Sequence, residues 1–445
     1  MELRKIFRDF RSFNFSLFFS LCALSLVPAV YMSIRTFLIS VNTSTQGIDV
    51  IGQMEWFDLI DETIRAFLII PLYSILNKIF KNDKLNFPYH VFKTGVITIL
   101  IYAVFSIIVF IYGLHLVGFM NPNSVDIAEV FSYLRLETIA FMIGIIMSFI
   151  NVVFVVIGKA KNVYIFMIVQ IILGILTDFI FIPNFGVNGV AISNIITNSI
   201  VAVVGIIVLR LEGFLKLSWF KKDDLANGLT WAKVGLFSGG QQFVDNIVYA
   251  LMIGKMVNMV AEQGNYWSAN NFIWGWLLIP IAALAEVIRH DCKDGYFKLK
   301  QKNYYLIVFF SVLLWAITIP VWIPFFQNVQ QLENFQAIYS ITIKLTPFYI
   351  AYGLTIIPDS IFIGMGKTIY SLICSLIVNF LYYGTFFVLY LNNAITFNMD
   401  TIILMFGFGM VIHWVISIIE EKRFLRIRAL KERDHNKELN IVGAN

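Results

Sequence analysis

The residues of this 445-residue chain that could do chemistry are ionisable and amide side chains set inside long apolar stretches. A charge in hydrocarbon costs at least about 2.5–3.5 kcal/mol, so it normally faces a cavity or a partner. Asp178 meets that condition most acutely, because Ile175, Leu176, Phe179 and Ile180 around it offer no counter-charge. Such a carboxylate binds a cation, takes up a proton, or pairs with a distant cation, for which Arg35 and Arg135 are available. Asp58, Asp61, Glu62 and Arg65 follow spacings that place all four on one helical face. There Asp61 or Glu62 can pair with Arg65 within the same helix. Glu137 follows Arg135 closely, and Asn194, Thr197 and Asn198 again share a face. In the second half Gln242, Asp245 and Tyr249 recur near every fourth position. Asn271 and Trp274 open the next stretch, suited equally to a wide pocket or to core packing. Asp359 and a lone His413, the latter expected to pack, complete the set.

The elements that must carry these groups are helices that span a bilayer. Hydrophobic residues make up 59% of the chain and charged ones 14%, with a mean hydropathy of +0.78. Soluble domains usually hold about 25% charged residues, and a crossing needs about 20 apolar residues. Twelve stretches of that length run from 13–41 to 398–420. Lys and Arg gather at the N-terminus, in every second loop and in the tail, while the intervening loops carry Asp49, Asp126, Glu129, Glu262, Glu333 and Asp400. The positive-inside rule then places both termini in the cytoplasm.

The second six stretches repeat the first six. FLIIPL at Phe67–Leu72 returns as WLLIPI at Trp276–Ile281, and IGKAKNVY at Ile157–Tyr164 returns as IGMGKTIY at Ile363–Tyr370. The expected organisation is an N-lobe (1–212, helices 1–6), a cytoplasmic connector (213–228), a C-lobe (229–420, helices 7–12) and a cytoplasmic tail (421–445). The fold class is all-α integral membrane, with two pseudo-symmetric six-helix bundles, the ground plan of a secondary transporter with its site between the halves. Pro28, Pro71 and Pro280 interrupt apolar spans, remove a backbone hydrogen bond each and are candidate hinges.

Other classes find little support. The N-terminal apolar run continues past Pro28, too long for a cleaved signal. Cys22, Cys292 and Cys374 give neither a disulfide framework nor metal spacing. No Walker loop, HExxH or nucleophile elbow occurs, so no enzyme is indicated and energy has to come from an ion gradient. No metal, cofactor or nucleic-acid partner is expected; the partners are membrane lipid and a small molecule, and two lobes in one chain make a monomer sufficient.

The stretch Gly158–Asn198 carries a basic turn, then Asp178, then Gly186, Gly189 and Ala191. It resembles the multidrug and toxic compound extrusion (MATE) transporters, within a superfamily that also holds lipid-linked oligosaccharide flippases. The resemblance implies twelve helices in two lobes and a coupling site at Asp178, with Asn194, Thr197 and Asn198 nearby. It also implies acidic positions at Asp245 and, by substitution, Asp359. Arg35, Asp61, Glu62, Arg65, Glu137, Gln242, Tyr249, Asn271 and Trp274 then line a substrate cavity. The chain departs from the family in having Gly174 where an asparagine is usual, and Arg35 rather than an acid in the first helix. The function implied is H⁺- or Na⁺-coupled export of small organic compounds across the cell membrane. The alternative is a flippase that holds a pyrophosphate with Arg35, Arg65 and Arg135.

Overall fold

The computed structural model describes residues 13–123, 126–219, 240, 242–292 and 301–442. The N-terminal basic residues, the connector from residue 220 and the first C-lobe residues lie outside that set.

Apolar stretches without breakers fold as helices because a bilayer leaves a backbone no other way to satisfy its polar groups. In chain order these are α1 (Phe15–Gln53), α2 (Glu55–Asn82), α3 (Phe87–Met120), α4 (Ile127–Val156), α5 (Ala160–Phe185) and α6 (Val187–Leu211). Then come α7 (residues 242–259), α8 (Gln263–Leu277 and Ile279–Cys292), α9 (Gln301–Val329), α10 (Phe335–Gly364), α11 (Thr368–Leu391) and α12 (Met399–Val442). Among the described residues nine of these helices are long and apolar enough to cross a membrane, and the bent pair in α8 makes a tenth. The other two are α2, which carries Asp58, Asp61, Glu62 and Arg65, and α7, described from residue 242. The protein is a multi-pass membrane protein.

Two boundaries differ from expectation. α1 runs on to Gln53, so the expected loop around Asp49 is helical. Asn42 and Thr43 tie back to the carbonyls of Leu38 and Ile39, while Ile48, Val50 and Ile51 are buried. Tertiary burial has overridden a segment of glycines, threonines and β-branched residues. Cys292, expected in a loop, is the buried last residue of α8.

The halves also differ locally. Four single-turn π-helical segments interrupt the C-lobe, at Ala250–Gly254, Ile273–Leu277, Phe325–Val329 and Val378–Tyr383, and none occurs in the described N-lobe. Pro71 sits in an unbroken α2. Its repeat mate Pro280 lies where α8 bends by 51°. The prolines correspond in sequence but not in the break they produce.

Within the N-lobe α4 packs on α3 and α6, and α5 on α6; within the C-lobe α10 is the hub for α8, α9, α11 and α12. The lobes meet through α1 on α8 and α2 on α7. Their interlobe hydrogen bonds gather toward the end of the bundle that carries the acidic loops. Asn258 Nδ2 donates to the carbonyls of Gln53 and Met120 (3.4 and 3.3 Å), Asn123 Nδ2 to Met259 O (2.6 Å), and Ser40 Oγ to Gln331 O. The apolar core is continuous across both lobes there. Toward the basic end the N-lobe has a core of its own, including Leu72, Leu76, Phe87, Phe154 and Leu209, with no C-lobe member. Among the described residues α1 still touches the C-lobe at that end, Phe13 lying edge-on to Tyr304 of α9 at 6.4 Å, whereas α2 to α6 keep to their own core there.

Candidate functional site

Helices α1, α4, α5 and α6 bring one charge network together inside the N-lobe. Arg35 donates from Nε to Asp178 Oδ2 at 2.9 Å and from Nη2 to Asp178 Oδ1 at 3.1 Å. The same Nη2 reaches Asn194 Oδ1 at 2.8 Å and the Tyr31 hydroxyl, and the guanidinium stands 4.8 Å over the Tyr31 ring. Asn194 Nδ2 passes the chain on to Glu137 Oε1 at 2.9 Å. Asp178 is fully buried, and Arg35 and Glu137 nearly so. Of the roles open to Asp178 from sequence, the structure shows the pairing with Arg35; Asp178 does not open onto a cavity. Arg135 is exposed and lies over the rings of Phe110 and Phe131 instead.

A bidentate Arg–carboxylate pair is one of the strong charge-assisted arrangements, and each oxygen of Asp178 already accepts a hydrogen bond from Arg35. Glu137 differs: its Oε2 is buried without a hydrogen-bond partner. Exposed Asp58 on α2 is within electrostatic reach of it.

Tyr31 and Gly174 were not singled out together from sequence, yet they explain each other. A Cβ on Gly174 would lie 2.6 Å from the Tyr31 hydroxyl. The glycine clears the space that the tyrosine fills, and the tyrosine then braces Arg35. The two departures from the family pattern are one packing solution.

The face of α2 divides. Asp61 turns into the N-lobe, pairs with Arg65 at 2.5 Å and accepts from the Tyr102 hydroxyl. Arg65 also donates to Ser148 Oγ (3.1 Å) and Phe141 O (3.0 Å). Glu62 is exposed and turns toward α7, where Asn246 Nδ2 stands 3.4 Å away. The expected single four-residue face therefore splits between two surroundings. On α6, Asn194 alone joins the Arg35 network. Thr197 bonds Thr177 (3.1 Å), which bonds Ser193, and Asn198 donates to Ala140 O (3.1 Å).

In the C-lobe the π-helical segments place the polar side chains, in keeping with their frequent use at functional sites. Asp245 accepts from Asn379, which the segment Val378–Tyr383 presents, at 2.6 Å, and from Ser375. Asp359 accepts from Ser417 at 3.4 Å, and His413 Nε2 stands 3.8 Å from it. The two carboxylates lie within electrostatic reach of each other. Trp274, within Ile273–Leu277, donates to the Tyr349 hydroxyl at 3.0 Å; Tyr349 donates to Asn270 (2.9 Å), and Asn270 to Glu55 of α2 at 3.2 Å. Tyr249 bonds Tyr266 at 2.9 Å. Gln242 is half-buried and joins none of these groups. Glu55, Tyr349 and Asn379 were missed from sequence, since a lone polar residue in an apolar run has no partner until helices cross.

Between α1 and α8 lies a cavity of about 360 Å³ lined by Pro28, Ser33, Thr36, Asn271, Trp274 and Gln330. Trp276, held by Ser33 Oγ at 3.1 Å, separates it from an apolar cavity of about 570 Å³ bounded by Leu26, Pro280, Trp315 and Trp322. Both open where α8 bends.

No family model and no curated protein matches the sequence. Solved structures match over nearly the whole chain. A multidrug resistance MATE family transporter in an inward-facing conformation superimposes with a TM-score of 0.68 at 15% identity, covering 94% of this chain and 98% of its own. The chain has the MATE fold. The Vibrio cholerae MATE transporter VcmN gives 0.66 at 15% identity, over 92% of this chain and 97% of its own. A MOP superfamily transporter from Pyrococcus furiosus, described as having a binding pocket of reverse polarity, gives 0.66 at 15% identity over 95% and 98%. Within the MATE fold the Arg35–Asp178 pair occupies the first lobe, and the bent α8 faces it across the lobe interface.

Proposed function

We propose that the protein is a secondary transporter that exports small organic compounds across the cell membrane by alternating access, driven by an ion gradient. The observation that carries this reading is the asymmetry of the lobe contacts among the described residues: interlobe hydrogen bonds gather at the acidic end, whereas at the basic end α2 to α6 keep a core with no C-lobe member and α1 makes the contact, Phe13 on Tyr304. With both termini in the cytoplasm, that is a state closed outward and parted inward. In support, the inward-facing MATE structure superimposes better (0.68) than the outward-facing one (0.61). The relatives in fold are described as multidrug transporters, and the two cavities around Trp276 suit a mostly apolar molecule with a few hydrogen-bonding groups.

Coupling falls on a carboxylate that can still change its state. Asp178 is held by Arg35, whereas Glu137 has a free oxygen beside accessible Asp58. A carboxylate that takes up and releases a proton as its burial changes couples transport to H⁺ rather than Na⁺. Neutralising Glu137 loosens its bond to Asn194, and through Asn194 the hold on Arg35, which ties α1 to α5 and α6. Arg35 and Arg65 are both engaged by carboxylates, which weakens the flippase alternative. A monomer is sufficient.

The test is efflux from proteoliposomes under an imposed pH or Na⁺ gradient, with organic cations, neutral amphiphiles and lipid-linked sugars as substrates. Export of an amphiphile driven by the pH gradient is the expected result. Gradient-independent movement of a lipid-linked sugar would sink the reading.

A further inference from the structure

The chain leaves α6 at Leu211, turns at Gly213 with φ 80°, and lays residues 214–219 back across the start of α3. The Lys216 backbone N–H donates to Pro88 O at 3.2 Å, and Phe214 packs edge-on against Phe87 at 6.4 Å. This segment helps enclose a groove of about 530 Å³ between α3, α4 and α6, lined by N-lobe residues and by Leu215, Lys216 and Leu217 at the start of the connector. Its walls are apolar, among them Val96, Ile99, Ile146, Phe149 and Leu215. Two cations, Arg210 and Lys216, line it as well, and both are exposed. The nearest acid in sequence, Glu212, is taken by Lys159 at 2.7 Å.

Three features fix what such a groove holds. Leu100, Val104 and Ile107 on α3 are exposed apolar side chains that only hydrocarbon can cover. Trp219 is 93% exposed just beyond the groove, and tryptophan is enriched at the head-group level of a bilayer. Arg210 and Lys216 stand at that same basic end, where basic pockets between helices bind anionic head groups.

We propose that this groove binds one anionic phospholipid, an acyl chain lying between α3, α4 and α6 and the phosphate held by Arg210 and Lys216. The site lies apart from the cleft and from the coupling network, so it stands or falls independently of the transport reading.

The experiment is native mass spectrometry of the detergent-purified full chain, incubated with an equimolar mixture of phosphatidylglycerol and phosphatidylcholine of matched acyl chains. The wild type retains one phosphatidylglycerol in preference. Each basic residue near the surface is worth about fivefold, so Arg210→Gln with Lys216→Gln lowers that preference by about twenty-fivefold. Ile99→Trp fills the groove and removes the tightly held lipid of either kind. Should the double variant unfold, Lys216→Gln alone keeps the backbone bond to Pro88 and lowers the preference about fivefold. Equal retention of both lipids by the wild type overturns the proposal, as does a preference that survives loss of Lys216 or of both cations.

Discussion

Arg35 grips both carboxylate oxygens of Asp178 from a position 143 residues earlier in the chain, inside a lobe where Asp178 has no exposed surface. The pair converts an acid that is isolated in sequence into the centre of a network joining α1, α4, α5 and α6.

Breaking that pair on one side leaves an uncompensated buried charge, which costs about 3–5 kcal/mol. Arg35→Ala is therefore expected to lower stability by that amount in a denaturation series in detergent. Arg35→Met combined with Asp178→Leu recovers most of the loss, because neither member of the pair is then buried without its partner. Equal destabilisation by the single and double variants would contradict the pairing.

Gly174 and Tyr31 share one volume. Gly174→Ala places a methyl group 2.6 Å from the Tyr31 hydroxyl and is expected to cost about 1–3 kcal/mol through overpacking. Adding Tyr31→Ala relieves the clash, so a double-mutant cycle shows coupling of about 0.5–3 kcal/mol. Additive effects would mean that the two side chains do not meet.

Glu137→Gln mimics the neutral carboxyl, with the weaker hydrogen bond from Asn194, and cannot gain or lose a proton. Efflux by this variant is expected to fall at least about a hundredfold, the low end for a single proton-transferring group. Substrate binding, measured separately, stays near the wild-type value but loses its dependence on pH. A pH profile identical to the wild type refutes the coupling role.

Pro280 sits at the 51° bend of α8, whereas Pro71 lies in an unbroken helix. Pro280→Ala is expected to slow transport several-fold without lowering stability, since Pro280 is the second residue of Ile279–Cys292, a first-turn position that alanine fills equally well. Pro71→Ala leaves the transport rate nearly unchanged. The reverse order of effects would move the hinge to the N-lobe.

Asp49, beyond the membrane-spanning part of α1, receives the backbone N–H of Gly264 across the lobe interface. Partial burial, with Glu262 adding to it, pushes its carboxyl up to about 6. The folded state therefore holds the proton more tightly than the unfolded chain. Its contribution to stability is complete below about pH 4 and is lost as pH rises through 6. Asp49→Asn is expected to flatten the change in melting temperature between pH 4.5 and 7.5. An unaltered profile would exclude Asp49 from the acid-end seal.

Much of this was legible in the linear chain. Twelve apolar stretches are long enough to span a bilayer, a solvent that accepts only helices or closed barrels. Loop charge alternates because Lys and Arg resist translocation, and the repeated FLIIPL and IGKAKNVY segments mark two lobes. The Asp61–Arg65 pair was readable as well, since both groups lie one helical turn apart.

The tertiary structure alone decided which distant groups meet. Asp178 could have held an ion, a proton or either of two arginines, and only the crossing of α1 over α5 selects Arg35. The same crossing unites Tyr31 with Gly174 and leaves Glu137 with an unsatisfied oxygen. The bend at Pro280 but not at Pro71 belongs to this class too. A proline removes one hydrogen bond in either helix, and neighbouring helices determine whether the chain stays straight. Sequence sets the helices and their charges because those depend on local burial in lipid. The site depends on contacts between residues from about forty to more than a hundred positions apart, which no periodicity records.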